Sequence, residues 1–487
     1  MSVPDRPRER GLRVLVAGGG WAGCAAAVEL ARCGAQVTLV ESARTLGGRA
    51  RGVDVHGSTL DNGQHILLGA YGETLRLLRL VGIDPDTALL RLPVQMRYPE
   101  GGGGMDFIAP RLPAPLHLAV ALLRARGLAR EDKMALARFT STARWMGWVL
   151  YNDCTVDELL ARYDQTPRLN RLLWHPLCIA ALNTPPSRAS AKVFLAVLRD
   201  SLGAKRRAAS DMLLPRMEMG ALFPDAAAAY VREHGGAVRT GVRLQGLARA
   251  GDGAGWQATL MGAGSAGNSG ANAGGDEPFD AVVLATPATQ SAALLAPFAQ
   301  AAQVAGQLSA LAYEPIATCY LQYDPSVRLG LPFYALLDDP AEGRWGQFAF
   351  DRGQLDAAQP GLLAVVVSAA GDAAGLDQDA LAAGIARQLA QDLGDPRLAA
   401  PQWSRVITEK RATFSCTPGL QRPGVETPLP GLVLAGDYTD SDYPATLETA
   451  VRSGLAAAKV IRSHGTLPRE KRSLSHSGGP GAPTSVR

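Results

Sequence analysis

"RVLVAGGGWAGCAAAVELA" (residues 13–31) decides how this chain folds. RVLV is a short apolar strand. Gly18, Gly20 and Gly23 then form G-x-G-x-x-G, and a small-residue run, Ala25 to Val28, opens a helix. The stretch is apolar enough to suggest a membrane span. Three consecutive glycines and Glu29 interrupt it, which fits a strand, a turn and a helix better. A second strand, "AQVTLVE", ends at Glu41, eighteen residues after Gly23. In this order the first glycine permits the tight turn, the second lets the backbone approach a pyrophosphate, and the third lets the helix pack on the sheet. The helix amides face the phosphates, and Glu41 can accept hydrogen bonds from an adenosine ribose.

The glycine pattern alone is weak. "GAGSAG" at 262–267 also matches, yet it runs into "NSGANAGG" with neither a helix nor an acidic strand end. Residues 250–277 read as a flexible hairpin extension. Other stretches indicate which dinucleotide is bound. "SARTLGGRA" places Gly47, Gly48 and Arg49 just past the acidic strand end, a second grip on phosphates that NAD does not need. "GLVLAGDYTDSDYPATLETAVRSGLAAAKVI" (431–461) supplies a buried strand (432–435), then Gly436 and Asp437, then a helix with Glu448 and Gly454. Asp437 can accept a hydrogen bond from a ribityl hydroxyl. "FDAVVLATP" (279–287) is another strand, and "GGAVRTGVRLQGL", which contains Val242, is a strand near which an adenine could lie.

The order G18-x-G-x-x-G23, Glu41, G47-G-R49, V-V-L-A-T-P and L-A-G-D437 resembles the FAD-dependent amine oxidase and phytoene desaturase superfamily, over about residues 12 to 465. Within it, "LDNGQHILLGAY" (60–71), "CIAALNTPPSRASAKVF" and "LAGDYTDSDYPATLETAVRSG" are similar to the hydroxysqualene dehydroxylases, squalene-associated flavoproteins of hopanoid synthesis. The resemblance implies an α/β fold: a Rossmann-like FAD-binding domain with an inserted α+β substrate domain. It also implies that the segment after the G-G-R turn wraps along the flavin. Asp61 to His65 would then form a collar at the isoalloxazine edge, with Gly63 allowing close approach and Gln64 or His65 facing the substrate. Asp61 and Asn62 can equally form an Asx turn, and His65 can be an ordinary half-buried histidine; turn and collar are compatible.

The implied activity is FAD-dependent reductive dehydroxylation of a long-chain isoprenoid alcohol: an acid protonates the leaving hydroxyl, and reduced flavin delivers hydride in a water-poor cavity. Candidates for the acid are Asp61, His65, Asp442 and Tyr443, and the choice among them stays open. A carotenoid-type desaturase or isomerase shares this fold. An amine oxidase needs an aromatic cage, and aromatics are only 6% of the chain, with Tyr438 and Tyr443 alone near Asp437. The polar sets at 61–65 and 437–443 argue against a flavin-binding scaffold without turnover. Cys416 could link a flavin covalently, but a small buried thiol is the simpler reading.

At 487 residues the chain is too long for one core. We expect a discontinuous FAD-binding domain (12–75, 210–300, 405–465), a substrate domain (76–209, 301–404) and a disordered tail (466–487). Strands at "ATCYLQY", "PFYALL", "GQFAF" and "LLAVVVSAA" would roof the flavin, a hairpin would span 91–109, and helices would fill 115–205. Charge is nearly balanced, +4, with no basic stripe for nucleic acid. Six scattered cysteines, without metal-type spacing, read as reduced and cytoplasmic. The opening "MSVPDRPRERGLR" lacks the apolar core of a secretory signal. "APLHLAVALLRARGLAR" (114–130) reads as either a core-facing helix or a contact with the inner membrane surface. Trp145 and Trp148, three apart, are expected on one helical side, in a core or lining a tunnel. The sequence does not name the electron donor.

Overall fold

A computed structural model describes residues 11–55, 57–251, 255–262 and 275–464. Most of the 262–267 glycine run, the middle of the hairpin extension, the first ten residues and the tail at 466–487 lie outside the described residues.

The opening strand, Arg13–Ala17, is the middle of a five-stranded parallel sheet. Gln36–Glu41 and then Ala237–Thr240 lie on one side of it, and Ala281–Leu284 and Leu432–Leu434 on the other. Strands covered on both faces need continuous apolar runs. Val14, Leu15, Val16, Val282, Val283 and Leu434 accordingly have no exposed surface. Helix Trp21–Arg32 packs against helix Leu447–His464, backbone to backbone: a Cβ on Gly454 would collide with the Ala22 carbonyl. A three-stranded antiparallel sheet, Val242–Arg249, Trp256–Gly262 and Asp276–Phe279, hangs from this unit.

A second, antiparallel five-stranded sheet runs Phe333–Ala335, Phe348–Asp351, Leu362–Val367, Tyr313–Gln322, Trp403–Phe414. The four segments expected to roof the site are four of these strands. Trp403–Phe414 is the fifth, so a boundary at 405 runs through a strand of this sheet. Helix Gln378–Leu393 packs on the face bearing Ala317, Cys319, Leu321 and Val365. By the two-residue alternation of strands, Thr318, Tyr320, Val366 and Phe348 look the other way, into the largest core. The expected hairpin is present as Gln95–Arg97 paired with Asp106–Ile108.

Helices Leu116–Arg124, Arg130–Trp145, Val156–Arg162, His175–Leu182 and Ala191–Ser201 complete this half. Phe139, Tyr163, Trp174 and Phe194 interlock edge to face, with Phe139 and Trp174 centroids 5.0 Å apart. The two tryptophans do not share a side. The helix stops at Trp145, which is 88% exposed, and Gly147 (φ 65°) and Trp148 (φ 61°) reverse the chain, so Trp148 is buried. The 114–130 stretch divides: His117 and Ala121 are buried, Leu118 and Leu122 pack at the edge of the core, and Leu116 and Leu123 face outward. Among the described residues no helix is long and apolar enough to cross a membrane.

Candidate functional site

The glycines of the first turn divide by what they do. Gly18 has φ 108°, a left-handed conformation that strains any other residue. A Cβ on Gly18 would collide with Ala285, and one on Gly23 with the Gly18 carbonyl. The fold itself needs these two. Gly20 has an ordinary φ of −75°, and the nearest atom to an added Cβ is the Gly48 Cα at 3.9 Å. Nothing in the protein forbids a side chain there. The space at Gly20 lies between the first helix and the G-G-R turn, which closes on it through Gly47 N donating to Gly19 O at 2.9 Å. Helix amides facing such a gap suit a phosphate.

Glu41 orders this cradle from behind. One carboxylate oxygen accepts from Gly19 N at 2.7 Å, and the other accepts from Ala43 N at 2.7 Å and Ser42 Oγ at 3.1 Å. A carboxylate accepts about four hydrogen bonds, so one position remains for a ribose hydroxyl. Val242 starts the strand beside this end: Thr240 pairs with Glu41, and Gly241 N donates to Ala43 O at 2.8 Å.

At the other end Arg49 reaches across 388 positions to Asp437. Nη2 donates to Oδ1 at 2.6 Å, and Nη1 donates to the Ala412 carbonyl at 2.6 Å. Burial works against the Arg49 charge, but Asp437, with Glu409 and Tyr313, more than offsets it, and the arginine pKa is lifted. Asp437 therefore has a protein partner, beside its remaining capacity for a ribityl hydroxyl. Gly436 donates its N–H to Ser453 Oγ at 2.8 Å, and a Cβ there would strike the Tyr438 ring.

The 61–65 segment is pinned to the second sheet. Tyr320 OH donates to the Asp61 carbonyl at 2.8 Å, Gln64 Nε2 donates to Tyr320 OH at 3.0 Å, and buried Arg352 donates to Gln64 Oε1 at 3.2 Å. Met219 N donates to the Asp61 carboxylate at 2.8 Å. Burial pushes the Asp61 pKa up to about 6, against the opposing pull of Arg352 and that hydrogen bond. Burial, reinforced by the Arg49 charge, pulls His65 down to about 4. Near neutral pH His65 is uncharged, and Asp61 keeps its proton to a higher pH than an ordinary carboxyl. His65 Nε2 and Thr318 Oγ1 are buried without a hydrogen-bond partner, and Thr318 Oγ1 stands 3.7 Å from where a Gly63 Cβ would be. Unpartnered buried polar atoms are rare. Two beside one collar fit a polar cofactor seated against it.

Asp442 and Tyr443 belong to a different cluster. Asp442 is largely exposed, 3.9 Å from Arg199. Tyr443 OH donates to Asp200 and accepts from Arg199 Nη2 at 3.2 Å, while the Arg452 guanidinium lies 5.0 Å from its ring centre. This ties the 441–443 loop to helix Ala191–Ser201. Among the described residues no hydrogen bond or ion pair joins either residue to Asp61 or His65. Cys416 is buried, its thiol pushed up to about 12 by burial, and its backbone N–H donates to Thr184 Oγ1 at 3.0 Å. Thr318, Tyr320 and Arg352 escape a sequence reading. They lie on strands or turns more than 250 positions from the collar, and no local spacing links them.

A family model described as flavin containing amine oxidoreductase matches residues 21–462. A hydroxysqualene dehydroxylase of Rhodopseudomonas palustris is 31% identical over 93% of this chain and 99% of its own length. A 15-cis-phytoene desaturase of Narcissus pseudonarcissus is 25% identical over 97% of this chain and 84% of its own. Among solved structures, cyclohexylamine oxidase from Brevibacterium oxydans superposes with a TM-score of 0.63 at 17% identity, covering 93% of this chain and 99% of that one. That likeness concerns the fold.

Proposed function

Since the chain belongs to the flavin-containing amine oxidoreductase family and is an FAD-dependent oxidoreductase, we propose that it removes the hydroxyl of hydroxysqualene reductively, yielding squalene. The observation that carries this reading is a buried carboxyl, Asp61, held as an acid up to about pH 6 in the same 61–65 collar as His65, whose Nε2 has no partner. The hydroxysqualene dehydroxylase relatives supply the substrate.

The cofactor would be held by Gly18, Gly20 and Gly23 at the pyrophosphate, with Gly48 opposite. Glu41 and Val242 would hold the adenosine end, Arg49, Gly436 and Asp437 the ribityl chain, and Gly63 and Gln64 the ring edge. Reduced flavin, when bound, supplies the hydride that replaces the hydroxyl. The chain's own work is acid catalysis and exclusion of water. Loss of an allylic hydroxyl as water needs one proton at oxygen, and Asp61 provides it from its carboxyl. Neutral His65 donates or accepts one hydrogen bond and positions the hydroxyl. Val366 and Phe348, buried on the inward face of the second sheet, leave that side of the core apolar. Asp442 and Tyr443 position the 441–443 loop; they are not acids in this scheme.

A desaturase would run the other way, taking hydride from substrate, and would gain nothing from an acid at Asp61. The test is product analysis: flavin-loaded protein, chemically reduced without oxygen, incubated separately with hydroxysqualene and phytoene. Squalene should form from the first, with one flavin reoxidised per turnover. Desaturation of phytoene by the oxidised protein, with hydroxysqualene untouched, would falsify the proposal. So apolar a substrate must come from a bilayer or a partner, so the reading also places the chain at a membrane surface, with 114–130 as part of the contact.

A further inference from the structure

Among the described residues ten large apolar side chains stand well exposed, and eight of them fall between Ile108 and Tyr151. The same stretch holds seven arginines and lysines against Glu131 and Asp132, a net +5 in a chain whose total is +4. The rest of the molecule is therefore almost neutral. Among the described residues, most of the exposed apolar surface therefore sits in a stretch of net positive charge.

Part of the stretch shares one surface. Helix Arg130–Trp145 buries Ala135, Leu136, Phe139 and Ala143. Met134 and Trp145 are eleven residues, about three turns, apart and so share the outward side. Arg138 lies between them on that stripe. Lys133 Nζ donates to the Leu123 carbonyl at 2.9 Å, which brings the exposed end of helix Leu116–Arg124 alongside. Past the helix, the reversal at Gly147 and Trp148 turns Trp148 inward and leaves Val149 (52%) and Tyr151 (100%) outside. Two aromatics and several aliphatics, flanked by arginines, match the layered chemistry of a bilayer interface. Tryptophan and tyrosine settle at the headgroup level, and basic side chains pair with anionic lipid.

We propose that the outward side of 108–151, with Trp145, Val149 and Tyr151 as its anchors, docks on an anionic lipid bilayer. This deepens the reading of a substrate drawn from a membrane. It moves the anchor beyond 114–130, whose Leu118 and Leu122 serve the core.

The test uses full-length, flavin-loaded protein and vesicles containing no substrate, so that failure of hydroxysqualene turnover and failure of docking are separate results. Wild type should float with vesicles of phosphatidylcholine and phosphatidylglycerol, less with phosphatidylcholine alone, and less again at high salt. The double variant W145S/Y151S should lower partitioning about tenfold or more. Flavin content and melting temperature should stay unchanged, because both side chains are already outside. R138E/R144E should abolish the preference for anionic vesicles. Undiminished binding by W145S/Y151S overturns the proposal. So does a loss of self-association in that variant, seen by sedimentation, with vesicle binding intact, since the face would then belong to a second copy of the chain.

Discussion

Asp61 was legible as a polar residue two positions before a glycine, but its chemistry was not. Four candidates for the acid, Asp61, His65, Asp442 and Tyr443, look equivalent in a string of letters. They separate only when burial and partners are known: Asp61 rises to about 6, His65 falls to about 4, and Tyr443 is engaged by Asp200 and Arg199. A carboxyl raised above its unfolded value contributes stability that is complete below about pH 4 and is lost as pH rises through about 6. Asn cannot ionise and keeps an oxygen for Met219 N. Asp61→Asn should therefore gain on the wild type between pH 4 and pH 7, by up to about 3 kcal/mol. Urea melts at the two pH values measure this, and a pH-independent gap would remove the case for a raised Asp61. Wild-type turnover should fall as pH rises through about 6. The variant should retain flavin, be about a hundredfold slower or worse, and show no such limb.

At the scale of elements, the strand–turn–helix–strand unit is readable because every requirement is local. Gly18 needs its φ, Gly23 its closeness to Gly18, and Glu41 its place at the strand end. Helix ends are less so: the reversal after Trp145 depends on two left-handed residues, one of them a tryptophan, which no propensity would suggest. The glycines also permit a separation of fold from ligand. Gly20→Ala meets nothing closer than 3.9 Å, so the apoprotein should melt as the wild type does while flavin affinity falls severalfold or more. Gly23→Ala drives a methyl into the Gly18 carbonyl and should lower the melting temperature of the apoprotein as well. Differential scanning fluorimetry with and without added FAD reports both. Equal apo melting temperatures for the two variants would contradict the division.

Across the whole molecule, what the sequence hides is which distant segments meet. The parallel sheet is assembled from strands that begin at 13, 36, 237, 281 and 432. Its antiparallel counterpart takes its last strand from 403–414, a segment that the expected domain division gave, from 405 on, to the FAD-binding domain. Arg49 and Asp437 close this circuit. Losing a charged hydrogen-bond partner costs on the order of 1.5–3 kcal/mol, so Arg49→Ala and Asp437→Ala should each weaken FAD binding about ten- to a hundredfold. Each also leaves its partner unpaired. The double variant should consequently be less impaired than the product of the singles. Fluorescence titration of the apoproteins with FAD would check it, and strict additivity would mean that the two residues act independently on the ligand.

The turn at 18–23 is tied at both sides by the protein's own groups: Gly19 N to Glu41, Gly19 O to Gly47 N, and Gly18 N to the Val40 carbonyl at 2.8 Å. Its backbone has little freedom left to surrender. Association with the dinucleotide should therefore be limited by encounter and by stripping water from phosphates, with no slow loop-ordering phase. In stopped flow the rate should climb linearly with FAD concentration, and the binding entropy should lack the large penalty of a segment that folds around its guest.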